Sequence, residues 1–339
     1  MNKILSASLM IIMGLTSQLS LAQTNSLSML KENTRWSIDF SSRATRNLEI
    51  DRTSFTNVVG LDVHKVFSSS TSDIGTLIFQ PYLVKLNNES NPNLTFDHAN
   101  DAKVIWRMVN FNYTALSQGK LNIRIGHFEV PYGLEYLVDT NGTLRQLTFT
   151  DRGIKGDWGV SINGIMPKFE YEVALTRGTN QDITSSDNPY IFSGRLGTLS
   201  NKNFVTGLSW FTGDVLGNNG LTNIKKLGID ASYYYYQWEF IAESSIGKTA
   251  QNDTVNTFVE ALWKTPNEEF VAYLQLGYQQ TEVASLESNR VDSSSYWVVG
   301  VQWLNSQGID LSAQYKNKLN DASTVEVAPT LSIQLRYRI

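Results

Sequence analysis

Thr330-Leu-Ser-Ile-Gln-Leu-Arg-Tyr-Arg-Ile339 alternates without a break. Leu331, Ile333, Leu335, Tyr337 and Ile339 share one parity; Ser332, Gln334, Arg336 and Arg338 share the other. Successive side chains of a strand point to opposite faces. One face of this segment is therefore wholly apolar and the other wholly polar. Terminal residues usually fray and carry no such pattern. These ten must instead form a strand that separates two unlike surroundings.

Such a strand resembles the closing strand of a bacterial outer-membrane β-barrel, with lipid on one face and a watery lumen on the other. The opposite end of the chain agrees. Lys3 precedes an apolar run, Ile4 to Leu15, too short to span a bilayer comfortably. Ser20-Leu21-Ala22 then supplies small residues for cleavage. Residues 1–22 read as a signal peptide and residues 23–339 as one barrel domain. Without cysteine, lipoprotein anchoring, disulfides and thiolate chemistry are excluded. Removing Lys3 leaves 27 of the 28 basic residues against 32 acidic ones, a net charge of −5. That balance argues against a nucleic-acid partner.

About sixteen segments of alternating character follow, giving an all-β expectation: a transmembrane antiparallel barrel of about 16 strands. They lie near 35–42, 55–68, 75–87, 102–115, 120–129, 156–164, 168–178, 190–198, 203–212, 225–235, 238–248, 253–264, 268–281, 294–304, 309–318 and 327–339. Phe169, Tyr171, Val173 and Leu175 oppose Glu170, Glu172 and Thr176; Val255, Val259, Ala261 and Trp263 oppose Asn256, Glu260 and Lys264. Connections alternate short with long. Polar, Asn/Asp/Gly/Ser-rich stretches at 87–101, 178–189, 213–224 and 281–293 read as the long ones. Rings cluster at strand ends, as at Tyr233 to Tyr236 with Trp238, where the headgroup level of a membrane suits them.

Gly126-His-Phe-Glu-Val-Pro-Tyr-Gly-Leu-Glu135 closes the fifth segment and opens the longest connection, about 130–155. This stretch resembles the strand-to-loop segment of the phosphate-selective porin O/P family, over about a tenth of the chain. The resemblance implies a sixteen-stranded trimeric porin whose third external loop folds into the lumen. Pro131 limits strand pairing and Gly133 permits unusual dihedrals, so the chain can leave the wall there. The expected pore constriction is then Arg124 on the wall with Glu135, Asp139, Arg145 and Arg152 on the loop. Opposed charges there would select by size and field. Glu170, Glu172, Lys264, Arg336 and Arg338 are expected to line the lumen wall. The family is known for a rich basic lining, whereas this lining is mixed and predicts near-neutral selectivity. Ile339 stands where such barrels usually end in Phe.

The implied partners are the lipid bilayer, lipopolysaccharide, small hydrophilic solutes or ions, and two further copies of the chain. No cofactor, metal or catalytic residue is expected. Asp62 and His64 share a strand face, as in barrel proteases similar to omptins, yet the second acidic pair of those enzymes is missing. Asp97, Asn100 and Asp101 offer oxygen ligands in a loop, more simply read as solvated polar residues. Two functions stay open: a passive diffusion channel, or a plugged barrel that recognises a partner through its external loops.

Overall fold

The computed structural model describes residues 33–70, 72–86, 102–183, 187–217, 220–283, 290–319 and 327–339. Residues 1–22, the leader segment of the sequence analysis, lie outside them, as do Asp97, Asn100 and Asp101. Sixteen strands follow one another: β1 Thr34–Asn47, β2 Arg52–Ser68, β3 Asp73–Leu86, β4 Lys103–Tyr113, β5 Asn122–Glu129, β6 Gly156–Ile165, β7 Phe169–Thr176 and β8 Ile191–Thr198. The second half comprises β9 Phe204–Gly217, β10 Gly220–Tyr235, β11 Trp238–Thr249, β12 Asn252–Lys264, β13 Phe270–Val283, β14 Arg290–Leu304, β15 Ile309–Lys318 and β16 Thr330–Arg338.

Each strand pairs antiparallel with its sequence neighbours, and β16 pairs with β1, so the sheet closes. Closure is the only way a sheet loses both edges. The seam runs to the last residue. Ile38 and Ile339 exchange backbone hydrogen bonds at 3.0 Å in both directions. Side-chain identity at 339 plays no part in that pairing.

The pleat sorts the side chains as the alternation demands. Leu208, Leu227, Ile229, Ile246, Ile333 and Leu335 stand exposed on the outer face. Water would solvate so large an apolar surface poorly, since monomeric soluble proteins rarely expose more than a few hundred Å² contiguously. A hydrocarbon surrounding resolves the conflict, and strands of a closed barrel satisfy their backbone groups on one another. Aromatic side chains mark the rim that carries both chain ends. Across neighbouring strands, Phe204 faces Tyr233, Tyr233 faces Phe240, Trp238 faces Trp263, Phe270 faces Trp303 and Phe40 faces Tyr337. Rings with polar tips suit the boundary between hydrocarbon and water.

One connection differs from the sequence expectation. The stretch 213–224 is mostly strand: β9 runs to Gly217 and β10 starts at Gly220. Asp214 pairs with Asn223 through backbone and side chain, the latter at 2.8 Å. Polar composition suggested a loop, but above an apolar belt a hairpin can extend into water on polar residues.

Candidate functional site

The segment between β5 and β6 turns into the barrel. Its last ladder contact is the Val130 amide donating to the Lys155 carbonyl at 2.9 Å. Pro131 has no N–H to continue the ladder. Tyr132 then buries completely, and the short helix α1, Gly133–Leu137, begins. Gly133 is required twice. Its φ is +59°, and a Cβ there would lie 2.1 Å from Glu243 Oε2. That closeness lets the Leu134 amide donate to Glu243 at 2.7 Å, while the Gly133 amide donates to Ser209 Oγ at 3.0 Å. The exposed amides of a helix start favour such an acid. Gly228 on β10 makes room for the Tyr132 ring, whose hydroxyl oxygen would be 2.5 Å from a Cβ at that position.

On this side the lumen is filled. Val130, Tyr132 and Ile154 pack with Ile191, Phe211, Val215 and Ile224. Leu134 and Leu147 pack with Ile241 and Phe258. The expected polar lumen is therefore interrupted by apolar wall residues on β8–β12. Charges here are paired. Arg152 is almost wholly buried, 2.7 Å from Asp151 and 3.4 Å from Glu243, with its guanidinium 4.3 Å above the Tyr132 ring. Burial pulls its pKa down, but the carboxylates of Asp151 and Glu243 outweigh that and the net direction is up. Burial likewise pushes the Tyr132 phenol up. Both groups keep their ordinary charge.

Further along, the loop reaches the far wall. Arg145 donates to Glu260 on β12 at 2.7 and 2.9 Å, and the Gln146 carbonyl accepts from Gln275 on β13 at 3.0 Å. The Gly142 carbonyl accepts from Gln334 on β16 at 2.7 Å. Arg43 on β1 donates to the Thr143 carbonyl at 2.8 Å. Tyr136 donates to Glu172 on β7 at 2.6 Å, where Arg124 also donates at 3.0 Å.

Between the loop and the wall formed by β1–β4 a gap of about 170 Å³ remains. Loop residues Glu135, Arg145 and Lys155 line one side, and Arg43, Val58, Tyr82, Val84, Ile105 and Arg107 line the other. A second space of about 610 Å³ touches Arg124, Glu129, Tyr136 and Glu172. Arg107 reaches the gap through a β-bulge. Gln80 pairs with Met108 and Pro81 with Trp106, leaving Arg107 as the extra residue. Pro81 lacks the donor that regular pairing would need, and bulges commonly re-aim a side chain in this way. Arg107 donates to the Tyr82 hydroxyl at 2.9 Å and lies 3.3 Å from Asp139.

The residues singled out in the sequence thus divide. Glu135 and Arg145 line the gap. Asp139 touches it only through Arg107, and its own side chain is largely exposed. Arg152 is remote from it, a buried fastener of the loop. Arg124, Glu170 and Glu172 belong to the second space. Arg336 binds Asp39 with Nε 2.9 Å from both carboxylate oxygens, and Arg338 lies 3.1 Å from Asp62. Lys264 ends β12 at the aromatic rim, away from the loop. Asp62 accepts from Tyr82 at 3.0 Å, while His64 Nε2 lies 3.3 Å from Gln80 Nε2. Neighbours other than each other thus engage these two side chains. No group of three or more His, Cys, Asp or Glu suited to a metal occurs among the described residues.

Sequence reasoning missed Arg43, Arg107, Glu243 and Gln181. Arg43 and Glu243 sit on ordinary polar strand positions that nothing local distinguishes, whereas Arg107 sits at a bulge that Pro81 on the neighbouring strand could have signalled. Gln181, on the connection after β7, covers the edge of β4 that β5 abandons: its side-chain oxygen accepts from the Trp106 amide at 2.7 Å and its nitrogen donates to the Trp106 carbonyl at 3.2 Å.

No protein-family description matches this chain, and no curated relative matches it in sequence. The likenesses are structural. OprB of Pseudomonas putida matches with a TM-score of 0.66 at 10% identity, over 92% of this chain and 96% of its own. An anion-selective porin from Comamonas acidovorans matches at 0.60 and 12% identity, over 90% of this chain and 99% of its own. A trimer form of the outer-membrane protein OmpT of Vibrio cholerae matches at 0.61 and 12% identity, over 90% and 99%. At such identities the likeness establishes the fold, that of a porin-like barrel. The likeness to the phosphate-selective family stands on residues 126–135 alone.

Proposed function

We propose that this chain is an outer-membrane porin, a passive diffusion channel for small hydrophilic solutes or ions. The observation that carries this is the gap of about 170 Å³ that an otherwise tightly docked lumen loop leaves against β1–β4. Around it, a closed barrel with an apolar exterior supplies the membrane-spanning shell. Glu135 and Arg145, with Asp139 engaged through Arg107, set the size and field of the constriction; Arg124 and Glu172 line the space next to it. Export through the periplasm by residues 1–22 and assembly as a homotrimer in a lipopolysaccharide-containing membrane complete the proposal. The structural likeness to a trimeric outer-membrane protein supports that assembly.

Purified, folded protein in planar bilayers tests it. Stepwise conductance is the expected outcome, and its absence would sink the proposal. The many contacts between the loop and the far wall favour the plugged barrel as the second reading. Liposome swelling separates the two, because a plugged barrel admits no sugar or amino acid.

A further inference from the structure

The lining of the gap has an apolar part and a charged part. Tyr82, Val84 and Ile105 form a buried apolar cluster with Val58 packed against it, on wall positions that face the lumen. Leu134 and Tyr132 of the loop pack into the clusters of the opposite wall, and among the described residues no loop residue belongs to this one. Apolar side chains at the lining of a gap favour an apolar body placed against them. Around them the lining charges are Asp39, Arg43, Arg107, Glu135, Arg145 and Lys155, four cations against two acids. Arg145 is matched by Glu260, Lys155 lies 2.6 Å from Glu135, and Asp39 is taken by Arg336 and Arg338. Arg107 has Asp139. Arg43 has no carboxylate partner among the described residues. Its Nε and Nη2 donate to Gln334 Oε1 at 3.1 and 2.9 Å, and Nη2 also donates to the Thr143 carbonyl. Its Nη1 has no hydrogen-bond partner among the described residues, and Arg43 lines the gap.

We propose that this gap is a binding position for small amphipathic organic anions, with the anionic head on Arg43 and the apolar body against Val58, Val84 and Ile105. It rests on the diffusion-channel proposal only for the route of entry. A guanidinium with a free N–H pair engages an oxyanion through charge-assisted hydrogen bonds. Neutral neighbours hold Arg43 in place without cancelling its charge. The volume lies below the roughly 300–1,000 Å³ of sites for drug-sized ligands, which limits the solute to a single small ring or short chain. On this proposal Arg43 adds a local preference for anions to a lining of otherwise mixed charge.

Benzenesulfonate, methanesulfonate and benzyltrimethylammonium separate head from body. Their binding to detergent-solubilised protein is measured by calorimetry, and their block of chloride current in planar bilayers is measured alongside. Benzenesulfonate is expected to bind about tenfold more tightly than methanesulfonate, about 1.4 kcal/mol, with no saturable binding of the cation. Arg43→Gln should weaken both anions about tenfold and Arg43→Lys should restore most of that. Val84→Ser should erase the difference between the two sulfonates while leaving methanesulfonate unchanged. Equal affinity for the two sulfonates, or benzenesulfonate binding indifferent to Arg43→Gln in a folded variant, overturns the assignment. Binding without any conductance would overturn the channel and leave this site standing.

Discussion

The two sides of the lumen loop are built by opposite rules. Toward β8–β12 the loop is set into apolar clusters, and its one deeply buried cation, Arg152, is closed off by Asp151 and Glu243. Toward β1–β4 it leaves a gap lined by an apolar cluster and by a cation, Arg43, that has no acidic partner among the described residues. Packing and paired charge fix position; a passage needs space and an uncompensated field. One connection supplies both because its two flanks meet different walls.

Breaking the packed side should have the largest effect. Glu243→Ala would leave Arg152 buried beside a single acid and strip the Leu134 amide of its acceptor, a loss of about 3–5 kcal/mol as for other broken buried pairs. Loop undocking should follow, read as higher single-channel conductance and as protease cleavage within residues 130–155. A variant that keeps wild-type conductance and resistance would show that Glu243 does not hold the loop. Tyr132→Ala empties the slot beside Gly228 and should cost about 3–5 kcal/mol, measured by urea unfolding in lipid vesicles.

The outer wall offers a smaller effect. Leu227→Arg places a charge amid the exposed apolar residues of β10 and should cost about 2–4 kcal/mol if that face meets hydrocarbon. The same unfolding experiment reads it, and a neutral result would argue that this face is not in lipid. Smallest of all is Ile339→Phe. Backbone bonds to Ile38 close the seam whatever the side chain, so stability should stay within about 0.5 kcal/mol. Any gain in the yield of folded barrel would then belong to assembly rather than to the finished fold.

Most of the shell was legible from the chain. Alternation at 330–339 and along β7 and β12 needs only the pleat to be interpreted, and it places each face correctly. The departure of the loop was legible at Pro131 and Gly133, because those residues act through local backbone chemistry. What the loop touches was not. Glu243 and Arg43 lie 109 and 100 residues from their loop contacts, Leu134 and Thr143. Their meeting depends on barrel closure and register, which no local pattern encodes. Arg152 illustrates the resulting error: its charge suggested a pore residue, whereas its neighbours make it part of the packing. The hairpin at 213–224 illustrates another, since polar strand above the membrane level has a loop-like composition.

Cysteine accessibility tests the central claim most directly, because the native chain contains no cysteine. Ser41 lines the gap beside Arg43, whereas Ser209 is buried under the start of α1. A membrane-impermeant thiol reagent added during planar-bilayer recording should cut the current through Ser41→Cys and leave Ser209→Cys unaffected. Block at Ser209→Cys with none at Ser41→Cys would place the passage on the other side of the loop and contradict the account.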